Sequence, residues 1–202
     1  MADFSTLRIE QGATLEFVLQ YGRPELTYAA IQAITKSGPV VITAASHGVP
    51  DGWPVAIASA LGMTQINAAN SPPKDKDFTA ATVINANSLS LNSVNSSGYS
   101  TYTSGGYVVY RTPGDLAGCT ARGQLRDKVG GSLLFADLTS DPGGGLALDE
   151  AASTVTVTVT DEQAAAISTK KVALSVELVK PDGSVVRLMQ QKNIPVDREV
   201  AV

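Results

Sequence analysis

Cysteine is nearly missing from this 202-residue chain: Cys119 stands alone, and one thiol cannot close an internal disulfide, so stability has to come from packing. Charge is thin as well. Charged residues make up 17 %, against about a quarter in an average globular protein. The formal net charge is −4, and no Lys/Arg cluster supplies the basic face that nucleic-acid binders carry. Nucleic acid is therefore not an expected partner. No apolar run approaches the ~20 residues of a membrane span, so no membrane segment is expected. The opening "MADFSTLRIEQG" lacks a basic n-region and an apolar h-region, and no signal peptide is expected. These absences describe a chain made in a cytoplasm and kept in solution there, at least at first.

What is present is enough for a core. Apolar residues make up 44 %, close to the globular average, and the length allows one or two domains. Charge divides the sequence. Positions 30–110 hold six charged residues, Lys36, Asp51, Lys74, Asp75, Lys76 and Asp77. The chain's 15 Lys+Arg and 19 Asp+Glu leave 28 for the other 121 positions. The middle is rich in Ser, Thr, Asn and Ala instead. Two compositional regimes imply two modules.

The flanks carry the period-two alternation of half-buried strands. "TLEFVLQY" sets Leu15, Phe17 and Leu19 against Glu16 and Gln20. "CTARGQLRD" sets Cys119, Ala121 and Leu125 against Arg122, Gln124 and Arg126. "STVTVTVT" collects Val155, Val157 and Val159 on one side, and "KVALSVELV" collects Val172, Leu174, Val176 and Leu178. "KPDGS" at 180–184 predicts a turn, since Pro presets φ and Gly tolerates positive φ; it joins "VALSVELV" to "VVRLMQQ" as a hairpin. One short helix is expected at "TDEQAAAIS", where Thr160 and Gln163 fit a capping box.

The middle is also β. "AAIQAITKSGPVVITAA" predicts two short strands around "KSGP", followed by "PVAIASA", "TAATVINA", "SLSLNSV" and "GYVVY" with Gly, Pro and Asn between them. Many short strands with frequent turns point to a small barrel or sandwich. "SPPKDKD" at 71–77 is expected to be an extended polar loop. "NSSGYSTYTSGG" at 95–106 is expected to close the module, with at least one of Tyr99 and Tyr102 packed inside.

Few residues invite a chemical role. His47, in "SHGV", is expected to be a turn residue bonding its neighbours, because no second group completes a base–nucleophile pair. Cys119, on the apolar face of an alternating strand, is expected to be a buried small hydrophobe rather than a nucleophile. "KDKD" lacks the carboxylate density of a Ca²⁺ loop. "DPGGG" at 141–145 is followed by no helix carrying Lys-Ser/Thr, so it is not a phosphate loop. No catalytic, metal or cofactor residue is expected, and the chain is not expected to be an enzyme. The candidate interaction surface is Tyr99, Tyr102 and Tyr107, together with Trp53 of "DGWP". Spacings of three and five along the tyrosines, Tyr110 included, mix the two faces of a strand, so some of them belong to the core.

Two resemblances follow from motif order. "VVITAASHGVPDGWPVAIASALGMTQIN" with "FTAATVINANSLSLNSVNSSGYSTYTSGGYV" resembles a small β-module of phage tail and particle proteins, commonly labelled after the first catalytic cysteine half-domain of ubiquitin-activating enzyme (FCCH-like). The motifs are His47-Gly48, Asp51-Gly52, Gly62-Met63-Thr64 with Ile66-Asn67, Asn87-Ser88-Leu89, Ser97-Gly98-Tyr99 and Tyr102-Thr103-Ser104-Gly105-Gly106. Trp53-Pro54 and the longer "NSPPKDKD" loop depart from the pattern. The label implies no ubiquitin chemistry, since Cys119 lies outside the module. The flanks are similar to the N-terminal β-domain of baseplate upper proteins: a Gly-containing first hairpin, Asp115-Leu116 with Gly118 at a strand entry, the helix, and a late "DG" hairpin. "YGRPEL" and "YRTPGDL" would be the crossing linkers.

The expected fold is all-β. A β-sandwich-like domain formed by 1–29 plus 111–202 holds a second small β-barrel or sandwich module, 30–110, inserted into it, with one short helix. The resemblances imply a virion protein in the tail, baseplate or neck of a tailed phage. Its partners would be other virion proteins and, in a symmetric assembly, further copies of itself. A carbohydrate- or receptor-binding module and a capsid decoration protein are the alternatives.

Overall fold

The structure, a computed structural model, describes residues 7–198. It is all-β apart from one short α-helix and two 3₁₀ turns. The chain separates into two compact units, one spanning Gly22–Thr112 and the other combining the residues before Gly22 with those from Pro113 onward.

The discontinuous unit has a sandwich-like build, with two sheets contributing to one core. Its five-stranded sheet runs Ile9–Glu10, Val185–Asp197, Lys171–Val179, Thr120–Arg126, Leu134–Thr139. The first pairing is parallel and the others antiparallel. Its three-stranded antiparallel sheet runs Leu146–Asp149, Thr154–Val159, Leu15–Gln20. Alternation does what it predicts: Val155, Val157 and Val159 are fully buried, in one cluster with Leu125, Leu138, Leu174, Val176 and Leu178. Each such side chain taken from water contributes roughly 1.5–3 kcal/mol. The "KPDGS" hairpin closes through Lys180 N–H to Ser184 O at 2.9 Å and Gly183 N–H to Lys180 O at 2.9 Å, with Gly183 at φ 80°. The helix Asp161–Ala165 starts at Thr160, whose Oγ1 accepts from Gln163 N while Gln163 Oε1 accepts from Thr160 N.

The continuous unit also has two sheets. One runs Gly22–Ala30, Tyr107–Pro113, Pro54–Ala58, Thr79–Ala80, and the other Ala33–Ile34, Val40–Thr43, Ser88–Leu91, Thr82–Asn85. Val40, Ile42, Leu89 and Leu91 share a core with Val55, Ile57, Met63, Val108 and Tyr110. This unit begins at Gly22 rather than at residue 30. Arg23 and Glu25 made "YGRPEL" look like flank, but both are exposed positions of a strand. Charge marks contact with water there, not membership of a module. The chain does cross between the units inside "YGRPEL" and "YRTPGDL", at Tyr21/Gly22 and Thr112/Pro113, and both segments run in strands of this unit's sheet rather than as loose connections.

Residues 71–77 are not simply extended. Asp75–Asp77 forms a 3₁₀ turn. Asp77 Oδ2 accepts from Lys74 N and from Asn70 Nδ2, both at 2.8 Å. Asp75 pairs with Arg111 at 3.3 Å.

Candidate functional site

The four candidate aromatics do not form one surface. Trp53 is a core residue, 3 % exposed, with Nε1 donating to Arg111 O at 2.6 Å. It is withdrawn from the interaction surface. The "DGWP" turn is where the chain enters a central strand, and an indole that finds a backbone carbonyl is stable inside. Tyr99 and Tyr102 are half-buried and pack against the same core. Burial raises the Tyr102 phenol above its ordinary pKa of 10.0, and its hydroxyl lies 2.8 Å from Gly105 O and 3.1 Å from Ile31 O. The stretch 95–106 is tied down along its length. Thr103 N–H donates to Leu61 O and Leu61 N–H to Ser104 O. Gly62, at φ 80°, is overlain by the backbone of Thr101 and Thr103, so a Cβ at this position would collide with it.

Tyr107 is exposed, at 44 %, and it has a partner the sequence did not reveal. Tyr28, 50 % exposed, meets it edge to face, with ring centroids 5.8 Å apart at 89°. The two lie on strands Gly22–Ala30 and Tyr107–Pro113, adjacent in the sheet. The available signal was the alternation Leu26, Tyr28, Ala30, which places Tyr28 on one face of a strand; it was obscured by treating that segment as flank and linker.

His47 is buried and fully engaged. Nδ1 accepts from Val49 N at 3.0 Å, so Nε2 carries the proton and donates to Asn85 O at 3.0 Å. Tyr110 Oη donates to His47 O at 2.7 Å, and burial raises the Tyr110 phenol above 10.0. These bonds make His47 a structural turn residue.

Cys119 differs in degree from its expected place. It precedes the strand that begins at Thr120 and is half-buried, packed against the core's margin. Alternation carries through Ala121, Gly123 and Leu125, whereas Cys119 belongs to the turn at Asp115–Cys119, whose carbonyl oxygen of Asp115 lies 3.8 Å from Sγ. Burial, and then the nearby Asp115 carboxylate, push its thiol above the ordinary 9.0. That favours the neutral form, not the nucleophilic thiolate.

The most organised polar surface is on the discontinuous unit. Glu177 takes Arg122 through Nε at 3.2 Å and Nη2 at 3.0 Å, and Arg187 through Nη2 at 3.3 Å. The Arg122 hydrogen bond is the main reason the Glu177 carboxyl sits below its ordinary 4.5. Gln124 Nε2 donates to Asp137 at 3.2 Å in the next strand.

Among the described residues, no three His, Cys, Asp or Glu side chains gather to hold a metal ion, and no helix is long and apolar enough to cross a membrane. The fold and these surfaces define an all-β protein of two units. No protein-family model matches the chain, and no curated protein matches it.

Proposed function

We propose that this chain is a structural component of a tailed-phage particle, in the tail, baseplate or neck, and acts by multi-copy assembly with other virion proteins. The observation that carries this reading is the exposed Tyr28–Tyr107 pair on the charge-poor unit Gly22–Thr112. Paired rings bury area at low entropy cost when a partner arrives. Few charges nearby means little repulsion or desolvation to overcome. The phage address rests on the motif order of both units. Electron microscopy of a particle containing the protein tests it directly. Density for both units at a repeated position is expected. Particles that assemble with full composition and infectivity after deletion of 22–112 would overturn the docking role.

The same aromatic pair favours a second reading, carbohydrate or receptor binding, because an exposed tyrosine face is a stacking platform. A glycan array probed with the protein and with Tyr28→Ala separates the two. Binding that disappears in the variant supports the sugar reading; an unresponsive array leaves assembly.

A further inference from the structure

A cavity of roughly 430 Å³ lies on the five-stranded sheet of the discontinuous unit, away from any residue discussed as an interaction surface above. Three neighbouring strands and one loop build it. Thr120–Arg126 supplies Gln124 and Arg126, Lys171–Val179 supplies Ser175, Val185–Asp197 supplies Gln190, and the loop after Arg126 supplies Lys128 and Gly130-Gly131. The lining contains two cations, Arg126 and Lys128, and no carboxylate. That is unusual ground in a chain of net charge −4.

The hydrogen bonds decide what this cavity suits. Arg126 is held by two donations, Nε to Gln124 Oε1 at 3.0 Å and Nη1 to Gly131 O at 2.8 Å. Gln190 Oε1 accepts from Arg187 Nη1 at 3.2 Å. Both amide acceptors of the lining are thus in use. The N–H groups left without a protein partner among the described residues are Arg126 Nη2, Lys128 Nζ and Gln190 Nε2; the Ser175 hydroxyl, which can donate or accept, is also unengaged. A cavity whose amide oxygens are engaged and whose free side-chain groups are mostly N–H donors complements a group made only of acceptors. Two cations make that group an anion. No aromatic ring lines the cavity, so a neutral sugar or a base would find no stacking surface.

The cavity is also preorganised. Arg126 is fixed by Gln124 and Gly131 before any ligand arrives, which lowers the ordering cost of binding. Asp127 follows it in sequence, packs against Gly131 and stays out of the lining. Its Oδ1 is buried without a hydrogen-bond partner. A Cβ at Gly131 would collide with that carboxylate, so glycine is required there to keep both the Asp127 packing and the loop.

We propose that this cavity binds the oxyanion of a small ligand, a carboxylate or a phosphate. Arg126 Nη2 and Lys128 Nζ supply charge, and Ser175 and Gln190 supply neutral donors. The proposal does not depend on the assembly role. It is tested by titrating the full chain with inorganic phosphate, with glucuronate and with neutral glucose, following backbone amide resonances. Saturable shifts at Gln124, Arg126, Ser175 and Gln190 are expected with at least one anion and none with glucose. Comparing phosphate with glucuronate separates the two oxyanions. Arg126→Gln and Lys128→Gln should each weaken binding roughly tenfold. Lys128 makes no hydrogen bond or ion pair through its ammonium among the described residues, so Lys128→Gln is expected to remain folded and informative even if Arg126→Gln does not. No saturable response to either anion, or a response that Lys128→Gln leaves unchanged, overturns the proposal.

Discussion

On the sheet of the discontinuous unit, polar side chains are tied to one another by charge. Glu177 bridges Arg122 and Arg187, and Arg8 meets Asp197 at 3.2 Å. In Gly22–Thr112, by contrast, neutral side chains are tied to the backbone. Ser96, fully buried, donates to the carbonyls of Thr35 and Ser37 and accepts from Ser37 N. Asn67 pairs with both ends of Ala60, accepting from its N–H at 2.8 Å and donating to its carbonyl at 2.9 Å. Asn87 accepts from Ser46 N, and Tyr110 donates to His47 O. Strand length accounts for the difference. The discontinuous unit has strands up to the 13 residues of Val185–Asp197, and six of the eight strands in the other unit have 2–5 residues. Short ladders leave many backbone groups unpaired, and a buried unpaired group is costly. Ser, Asn, Tyr and His fill those vacancies. The low charge of the middle segment is therefore a consequence of its short strands. Charged groups serve this unit too, in the surface pair Arg111–Asp75 and where Asp77 and Asp51 accept from the backbone N–H of Lys74 and Val83.

The largest test removes one side of this comparison. Tyr21 O accepts from Gly114 N–H at 2.8 Å, so the chain ends left by deleting 22–112 are already adjacent. The remainder, closed by a short Gly/Ser linker, should keep its β-sheet circular dichroism and a cooperative melt. Loss of both would mean that the discontinuous unit cannot stand alone.

Core truncation comes next. Trp53→Ala should cost about 3–5 kcal/mol and Leu174→Ala about 2–5 kcal/mol. Hydrogen exchange should open mainly strands Gly22–Ala30 and Tyr107–Pro113, which Trp53 touches at Gly22 and Arg111, in the first variant and mainly strand Thr154–Val159 in the second. Ser96→Ala would strand the Ser37 N–H and the Thr35 carbonyl, while Ser37 O keeps the Ser96 N–H, at about 1–3 kcal/mol. A neutral outcome would show that neutral capping is not what stabilises the continuous unit.

Glu177 and the two buried tyrosines should also give the units distinct responses to pH. Glu177 has a lowered folded pKa, so its stabilisation is complete above the ordinary 4.5 and is lost as pH falls through the folded value. Tyr102 and Tyr110 have raised folded pKa values, so their stabilisation is complete below 10.0 and is lost as pH rises through the folded values. Exchange rates compared between the strands of each unit should show acid loosening Lys171–Val179 and alkali loosening Tyr107–Pro113. The smallest effect belongs to Glu177→Gln. Its arginine partners are 62 % and 57 % exposed, so the loss should stay under about 1 kcal/mol and shrink with added salt.

Local pattern was enough for much of the β-structure. Val155, Val157 and Val159 had to share a face because side chains alternate across a strand. Thr160 and Gln163 close a capping box within three residues, and "KPDGS" carries its turn in its own φ preferences. These are short-range constraints, and they are written where they act. His47 followed the same logic, since Val49 lies only two residues away.

Position in space was a different matter. Tyr28 and Tyr107 are 79 residues apart, and only sheet order makes them a pair. Trp53 was exposed or buried according to which strand its turn fed. The oxyanion cavity draws its donors from three strands and a loop, and which of those donors remain unspent depends in part on cross-strand neighbours such as Asp137, which takes Gln124 Nε2. Alternation states which side chains share a face of one strand. Which strands lie side by side, and in what register, is decided when distant segments bury their apolar faces together, so the sequence alone determined the strands and their turns while the tertiary structure decided the surfaces.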